Sequence, residues 1–374
     1  MVKLSFKMLF ALIFSCALLS VGVFAAPSIS YVTPTPQNNA YTGNESFVEM
    51  NVRVNESQLN EFNYNWNGTN FTYYDDSLVL MMNFDDVSDL GETNTLFADV
   101  SMYGNDGSAN PGITYTTSGK YDDACLFDGS SDYITVSNSS SLNDLTTLSI
   151  SAWIYADSFD AVNPYIDAIV SKFTGGSTGF VFRVGDAGIN SNQLQMAFDS
   201  NKIQSDIGLQ TDTWYHVATT YDGTTAKLFI NGVEDASAEI IGWQDTSDNN
   251  LEIGRDFSTN SRIWDGTIDE VRIWNRSLSS NEIYQQYVSN LNQFNSTQWR
   301  FYVNQSQNAT TGLDNSSYTY FVSAKNASDS ETVMSSRTIN IGSAPAAVPE
   351  FSDYAIMLLL ALTVGGFVVI RKKD

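Results

Sequence analysis

The residues able to do bond-making chemistry in this chain are few. Its single histidine is His216, and its two cysteines are Cys16 and Cys125. A zinc site or a nucleophilic triad needs several such groups, so neither has support. Glycoside hydrolysis needs two carboxylates flanking the scissile bond. The nearest arrangement is Asp269-Glu270 in the run IDEV, and no second glutamate follows at the spacing of a hydrolytic pair. No glycine motif able to cradle phosphate is present. No catalytic residue is therefore assigned. Binding chemistry is better supplied. Trp243, Phe257 and Trp264 fall in or near loops, among Asp245, Asp248, Arg255 and Asp265. Exposed rings stack on the apolar faces of sugars, which makes these three the candidate ligand-binding residues; the competing reading puts the rings in cores.

The elements that must position these residues are strands. Residues 213–233, TWYHVATTYDGTTAKLFINGV, read as two strands and the start of a third. Aromatic and β-branched residues suit a pleated surface, and Asp222-Gly223 and Asn231-Gly232 are hairpin turns. Large apolar side chains alternate onto both faces, so this hairpin needs cover on both sides. Further strands recur between turn signals at Gly175-Gly176, Gly185, Gly208 and Asn249-Asn250. Ser279-Ser280-Asn281-Glu282 is a capping box, and Ile283, Tyr284, Tyr287 and Val288 then give a short amphipathic helix.

This stretch resembles the laminin-G-like, concanavalin A-like jelly rolls. Five companion pieces stand in the family's order: LVLMMNFDD from Leu78, ADVSMYGNDGS from Ala98, CLFDGSSDYITV from Cys125, LSISAWIY from Leu148 and GTIDEVRIWNRSLSSNEI from Gly266. The resemblance spans residues 77–290 and implies a two-sheet antiparallel jelly roll. It also implies a structural calcium joining the first and last strands, held by oxygen ligands. The matching carboxylates are Asp85 with Asp86, Asp99, Asp128 and, foremost, Asp269. The alternative is that these aspartates cap turns. The family includes glycoside hydrolases, but their Glu-x-Asp-x-x-Glu pattern is missing here.

The flanks differ in composition. Residues 26–76 and 291–342 are poor in charge and dense in Asn-x-Ser/Thr, at Asn44, Asn55, Asn67 and Asn70, then Asn295, Asn304, Asn308, Asn315 and Asn326. The jelly-roll segment carries only Asn138 and Asn275. In the run from Phe47 to Val54, Val48, Met50, Val52 and Val54 alternate with Glu49, Asn51 and Arg53, a half-buried strand. Four short strands cannot close a sandwich alone. The flanks resemble one immunoglobulin-like sandwich, split by insertion of the jelly roll, with Tyr318 as a tyrosine corner; two unrelated linkers are the alternative. The expected fold is all-β, with a C-terminal transmembrane helix.

Charge and ends set the setting. Lys and Arg number 18 against 42 Asp and Glu, a formal net charge of −24. That excludes a nucleic-acid partner, which needs a cationic surface. Residues 1–25 read as a signal peptide, in which Lys3 and Lys7 precede the apolar run from Met8 to Phe24 and Ala25-Ala26 offer small residues for cleavage. Cleavage would leave Cys125 alone, a small buried hydrophobe without a disulfide partner. Residues 343–352 form a linker carrying Pro349-Glu350-Phe351, 353–370 an apolar helix, and 371–374 a basic tail. That combination resembles the PEF-CTERM sorting tails of archaeal surface proteins, or a plain membrane anchor. The sequence thus describes a glycosylated, membrane-tethered protein whose body lies outside the cell. Its expected partners are glycans or surface proteins, in adhesion or envelope organisation. A purely structural envelope component and a divergent glycan-active enzyme are the rivals.

Overall fold

Trp214–Tyr221, Thr225–Ile230 and Val233–Glu239 form a continuous meander, as the turn residues dictate. Ile230 pairs with Val233 across a two-residue turn in which Asn231 and Gly232 have φ of 51° and 76°. That is the turn whose twist matches its strands. A Cβ on Gly232 would also stand 3.0 Å from the Tyr287 ring. In the other turn the Asp222 carboxylate accepts from the amides of Thr224 and Thr225.

The structure, a computed structural model, describes residues 25–344 apart from 44, 110, 161–165, 174–178, 187–188, 200 and 257–261. The signal segment as far as residue 24, the sequon at Asn44, the Gly175-Gly176 turn, Phe257 and the chain from residue 345 lie outside the described residues. Among the described residues no helix is long and apolar enough to cross a membrane.

Two sheets make the jelly roll. One runs in the order Val233–Glu239, Thr225–Ile230, Trp214–Tyr221, Leu148–Ala156, Asp265–Trp274, Ala124–Asp128 and Thr114–Thr116, with Leu78–Met82 also paired to Asp265–Trp274. The other runs Asn201–Gly208, Ile189–Phe198, Gly179–Asp186, Ile166–Phe173, Leu251–Ile253, Ile134–Val136, Gly107–Ser108 and Leu96–Phe97. Between them Ile150, Ile154, Val217, Ile268 and Ile273 meet Phe180, Phe182, Leu194, Met196 and Ile253 in one core. Cys125 belongs to it, a buried free thiol.

The segments before and after the jelly roll share two further sheets. One has the order Ser28–Val32, Val48–Asn55, Gln298–Gln305, Ser289–Asn295. The second runs Ala40–Tyr41, Arg337–Asn340, Ser317–Asn326, Leu59–Trp66, Thr69–Tyr74, with Glu331–Val333 on Ser317–Asn326. Val48, Met50, Val52 and Val54 are buried against Phe62, Tyr64, Phe301 and Val322, as the alternation in that strand requires. The Tyr318 hydroxyl is bonded to the Asp314 backbone, with the Asp314 amide donating to it at 3.1 Å. This second core also takes in Ala218 and Phe229 from the outer face of the meander, together with Trp274 and Ile283. The hairpin is therefore covered on both faces. Ile283 comes from the helix Ser280–Val288, whose N-terminus is closed by the reciprocal Ser279–Glu282 capping box.

Candidate functional site

A β-bulge decides what the jelly roll presents to its neighbour. Register between Leu148–Ala156 and Asp265–Trp274 shifts after Ser151, and Glu270 there has φ of 53°. Ile268, Val271 and Ile273 point into the inter-sheet core, so the bulge sets both Asp269 and Glu270 on the opposite face. Arg272 follows on that same face. The flanking sandwich covers it. Glu270 accepts from Asn83 Nδ2 and Asn290 Nδ2, each at 2.6 Å, and from Arg272 Nη2 at 2.8 Å. Arg272 also donates to Gln286 at 2.6 Å, to the Leu291 carbonyl at 3.0 Å and to Asn290. Asp269 Oδ2 accepts from the amides of Lys120 and Tyr121 at 2.9 and 3.1 Å. Asp85 accepts from Asn292 Nδ2 at 3.0 Å.

Burial dominates the electrostatics of this junction. Desolvation, with the charge of Glu270 next, pushes the Asp85 carboxyl up to about 8. Asp269 and Glu270 are raised for the same first reason. Desolvation, reinforced by Arg272 and Lys120, lowers His216 to about 3, so this ring is neutral. It is stacked edge-on against Trp153 at 5.3 Å. It is a packing residue.

Beside the junction opens a groove of about 800 Å³, within the size range of ligand sites. Its floor is the outward face of the four-stranded flanking sheet. Register places Ser30, Arg53, Arg300 and Asn292 in one row across that sheet, and Val32, Asn51, Tyr302 and Asn290 in the next. Its wall is the jelly roll, through Lys120, Tyr121, Asp122 and Trp153, with Tyr287 from the helix. Tyr121 and Tyr302 face each other across the two modules with centroids 6.2 Å apart. Trp153 is buried behind them, with the Lys120 ammonium 4.1 Å from its ring centre. Asn304 lines the groove, and its Oδ1 is buried without a partner among the described residues.

The sequence-predicted site residues lie elsewhere. Trp243 and Trp264 are both in the jelly-roll core, so neither presents a ring face to a ligand. Trp243 packs edge-on against Phe198 and Tyr221, at 4.7 and 5.3 Å, and donates to the Gly179 carbonyl. Trp264→Ala is expected to cost about 3–5 kcal/mol through the cavity it leaves; urea unfolding checks this, and a loss under 1 kcal/mol would contradict the core assignment. The four aspartates do not converge. Asp99 spends its oxygens on the amides of Met81, Ser101 and Asn105, and Asp128 on those of Ser130, Ser131 and Asp132. These are the turn-capping roles of the alternative reading. Asp85 and Asp269 lie in the junction. Among the described residues no three His, Cys, Asp or Glu gather in one cluster, while Asp85 Oδ1 and Asp269 Oδ1 are each buried without a hydrogen-bond partner there.

The sequons divide by exposure. Asn55, Asn67, Asn70, Asn138, Asn275, Asn308 and Asn315 are exposed, while Asn295 and Asn304 are half-buried. Asn326 is 2% exposed, donates to the Ala25 carbonyl and accepts from the amides of Ser328 and Ser330. Its amide nitrogen is turned to the residue at the end of the signal-peptide-like segment.

Comparison with known proteins agrees with the jelly roll. Residues 128–284 match the family model described as Concanavalin A-like lectin/glucanases superfamily. This part of the chain is similar to laminin-G-like domains. No curated protein matches the chain. Solved structures similar to it include domain 4 of an extracellular arabinanase from Geobacillus stearothermophilus in complex with arabinotriose. That likeness has 19% identity, a TM-score of 0.44, and covers 55% of this chain and 96% of that one. The receptor binding domain of botulinum neurotoxin D is similar at 18% identity and a TM-score of 0.45, over 57% of this chain and 52% of that one. A heptameric SAP-like pentraxin from Limulus polyphemus is similar at 15% identity and a TM-score of 0.35, over 43% and 80%. The chain thus spans about half the length of the toxin domain.

Proposed function

We propose that this protein is a non-catalytic recognition protein of the cell surface, a laminin-G-like jelly roll inserted in a flanking sandwich, that binds glycans in the groove between the two. The observation that carries this reading is the groove itself. Tyrosine rings from both modules face one space, beside an unpartnered Asn304 acceptor and guanidinium donors. Such a mixture of rings and fixed polar groups suits a sugar, whose faces are apolar and whose rim is hydroxyls. The buried acids support binding over hydrolysis. Both Glu270 oxygens are engaged by Asn83, Asn290 and Arg272, and Asp269 is turned to the backbone of Lys120 and Tyr121. The signal-peptide-like residues 1–25 and the apolar run 353–370 support a body held outside the cell, in adhesion or envelope organisation.

A glycan array probed with the full-length chain, in calcium and in EDTA, tests this. The expected result is saturable binding to one glycan class, equal in both conditions and lost in Tyr302→Ala. Binding to no glycan would favour the structural envelope component. Release of products from the bound glycan would favour the enzyme.

A further inference from the structure

The charge lining the groove runs against the charge of the chain. Acidic residues outnumber Lys and Arg by 42 to 18 overall, yet the groove holds Arg53, Lys120 and Arg300 against the single carboxylate of Asp122. Asp122 is paired to Arg300 at 3.1 Å. Arg53 and Lys120 have no ion pair among the described residues. Moreover, Arg53 and Arg300 are direct register partners on neighbouring antiparallel strands, their guanidiniums 5.6 and 5.2 Å from the same Phe294 ring. Like charges directly opposite across a strand pair destabilise a sheet. A chain so poor in cations that still sets two of them opposite each other, and a third over Trp153 nearby, has placed them for a ligand of opposite sign. A planar guanidinium fork matches a carboxylate in two parallel hydrogen bonds. The −24 net charge repels polyanions at long range, but at physiological salt that field is screened within about 8–10 Å. The contact at the groove is therefore local.

Resting on the glycan-binding reading above, we propose that the groove selects an acidic oligosaccharide, one whose sugars bear carboxylates, with Arg53, Arg300 and Lys120 as the carboxylate-binding residues. The test is isothermal titration of the full-length chain with an oligouronate, with the same oligosaccharide after reduction of its carboxyls to alcohols, and with a sulfated neutral oligosaccharide. Charge-assisted hydrogen bonds predict about tenfold or greater preference for the oligouronate over its reduced form. Arg53→Gln should abolish that preference, bringing the affinity for the oligouronate down to about that for its reduced form. Urea unfolding of the same variant should show stability equal or raised, because the opposed cation is gone. Equal binding of uronate and reduced forms, insensitive to Arg53→Gln, would overturn the acidic-ligand inference and leave the glycan reading standing. Tighter binding of the sulfated oligosaccharide would overturn the carboxylate assignment. Binding of none of the three, with no glycan retained on the array, would overturn the glycan reading itself.

Discussion

Arg272→Met is expected to destabilise the protein by about 3–5 kcal/mol, the usual cost of leaving one member of a buried ion pair uncompensated. Arg272 is 4% exposed and Glu270 3%, and the guanidinium pairs with Glu270 on its own strand while joining that strand to Gln286 of the helix and to Asn290 and the Leu291 carbonyl of the flanking sheet. Its loss strands the carboxylate and unties the two modules together. Adding Glu270→Gln to Arg272→Met should recover much of the loss, since Gln keeps an acceptor oxygen for the Asn83 and Asn290 donors and removes the buried charge. The measurement is urea unfolding of the two single variants and the double variant. An Arg272→Met loss below about 1 kcal/mol, or a double variant no better than the single, would show that the junction is not held by this pair.

Stability is expected to fall as pH rises from about 4 to about 8. Asp85 is pushed up to about 8, and Asp269 is raised, in each case by desolvation first. The unfolded carboxyls titrate near 4. Between those limits the folded chain holds protons that the unfolded chain has released. The contribution of these groups is complete below about pH 4 and is lost as pH rises through the folded values. Each group supplies at most about 1.4 kcal/mol per pH unit. Carboxylates with lowered values act oppositely: Asp128 and Asp222, held down by turn amides, lose their contribution only as the solution becomes strongly acidic. Maximum stability is therefore expected on the acidic side of neutrality. Asp85→Asn should flatten the decline between pH 5 and 8, read from urea midpoints at three pH values. Stability rising with pH over that range in the parent chain would refute this account of the junction.

Much of the local structure was legible in the chain. The Asn231-Gly232 turn, the capping box at Ser279, and the alternation from Val48 to Val54 each rest on interactions between residues close in sequence. The jelly-roll motifs were legible for the same reason, since each is one strand with its turn. The groove was not. Glu49, Asn51 and Arg53 stood out as the polar face of a half-buried strand, and Arg300, Tyr302 and Asn304 repeat the pattern, but neither run says what lies opposite. Trp243 and Trp264 take the core position of the competing reading, although loop-like polar neighbours in sequence suggest exposure. In space Phe180, Phe198 and Tyr221 surround Trp243.

The sequence by itself determined which segments are strands, where they turn and which faces they bury, because dihedral preferences and side-chain alternation act over a few residues. Only the tertiary structure decided that residues 48–55 pair with 298–305, that a bulge turns Asp269 and Glu270 towards the flanking sandwich, and that Arg53 stands opposite Arg300. Those relations join positions more than 200 residues apart or depend on one extra residue in a register. Their energy lies in desolvation and charge pairing between surfaces that meet only once the whole chain has folded.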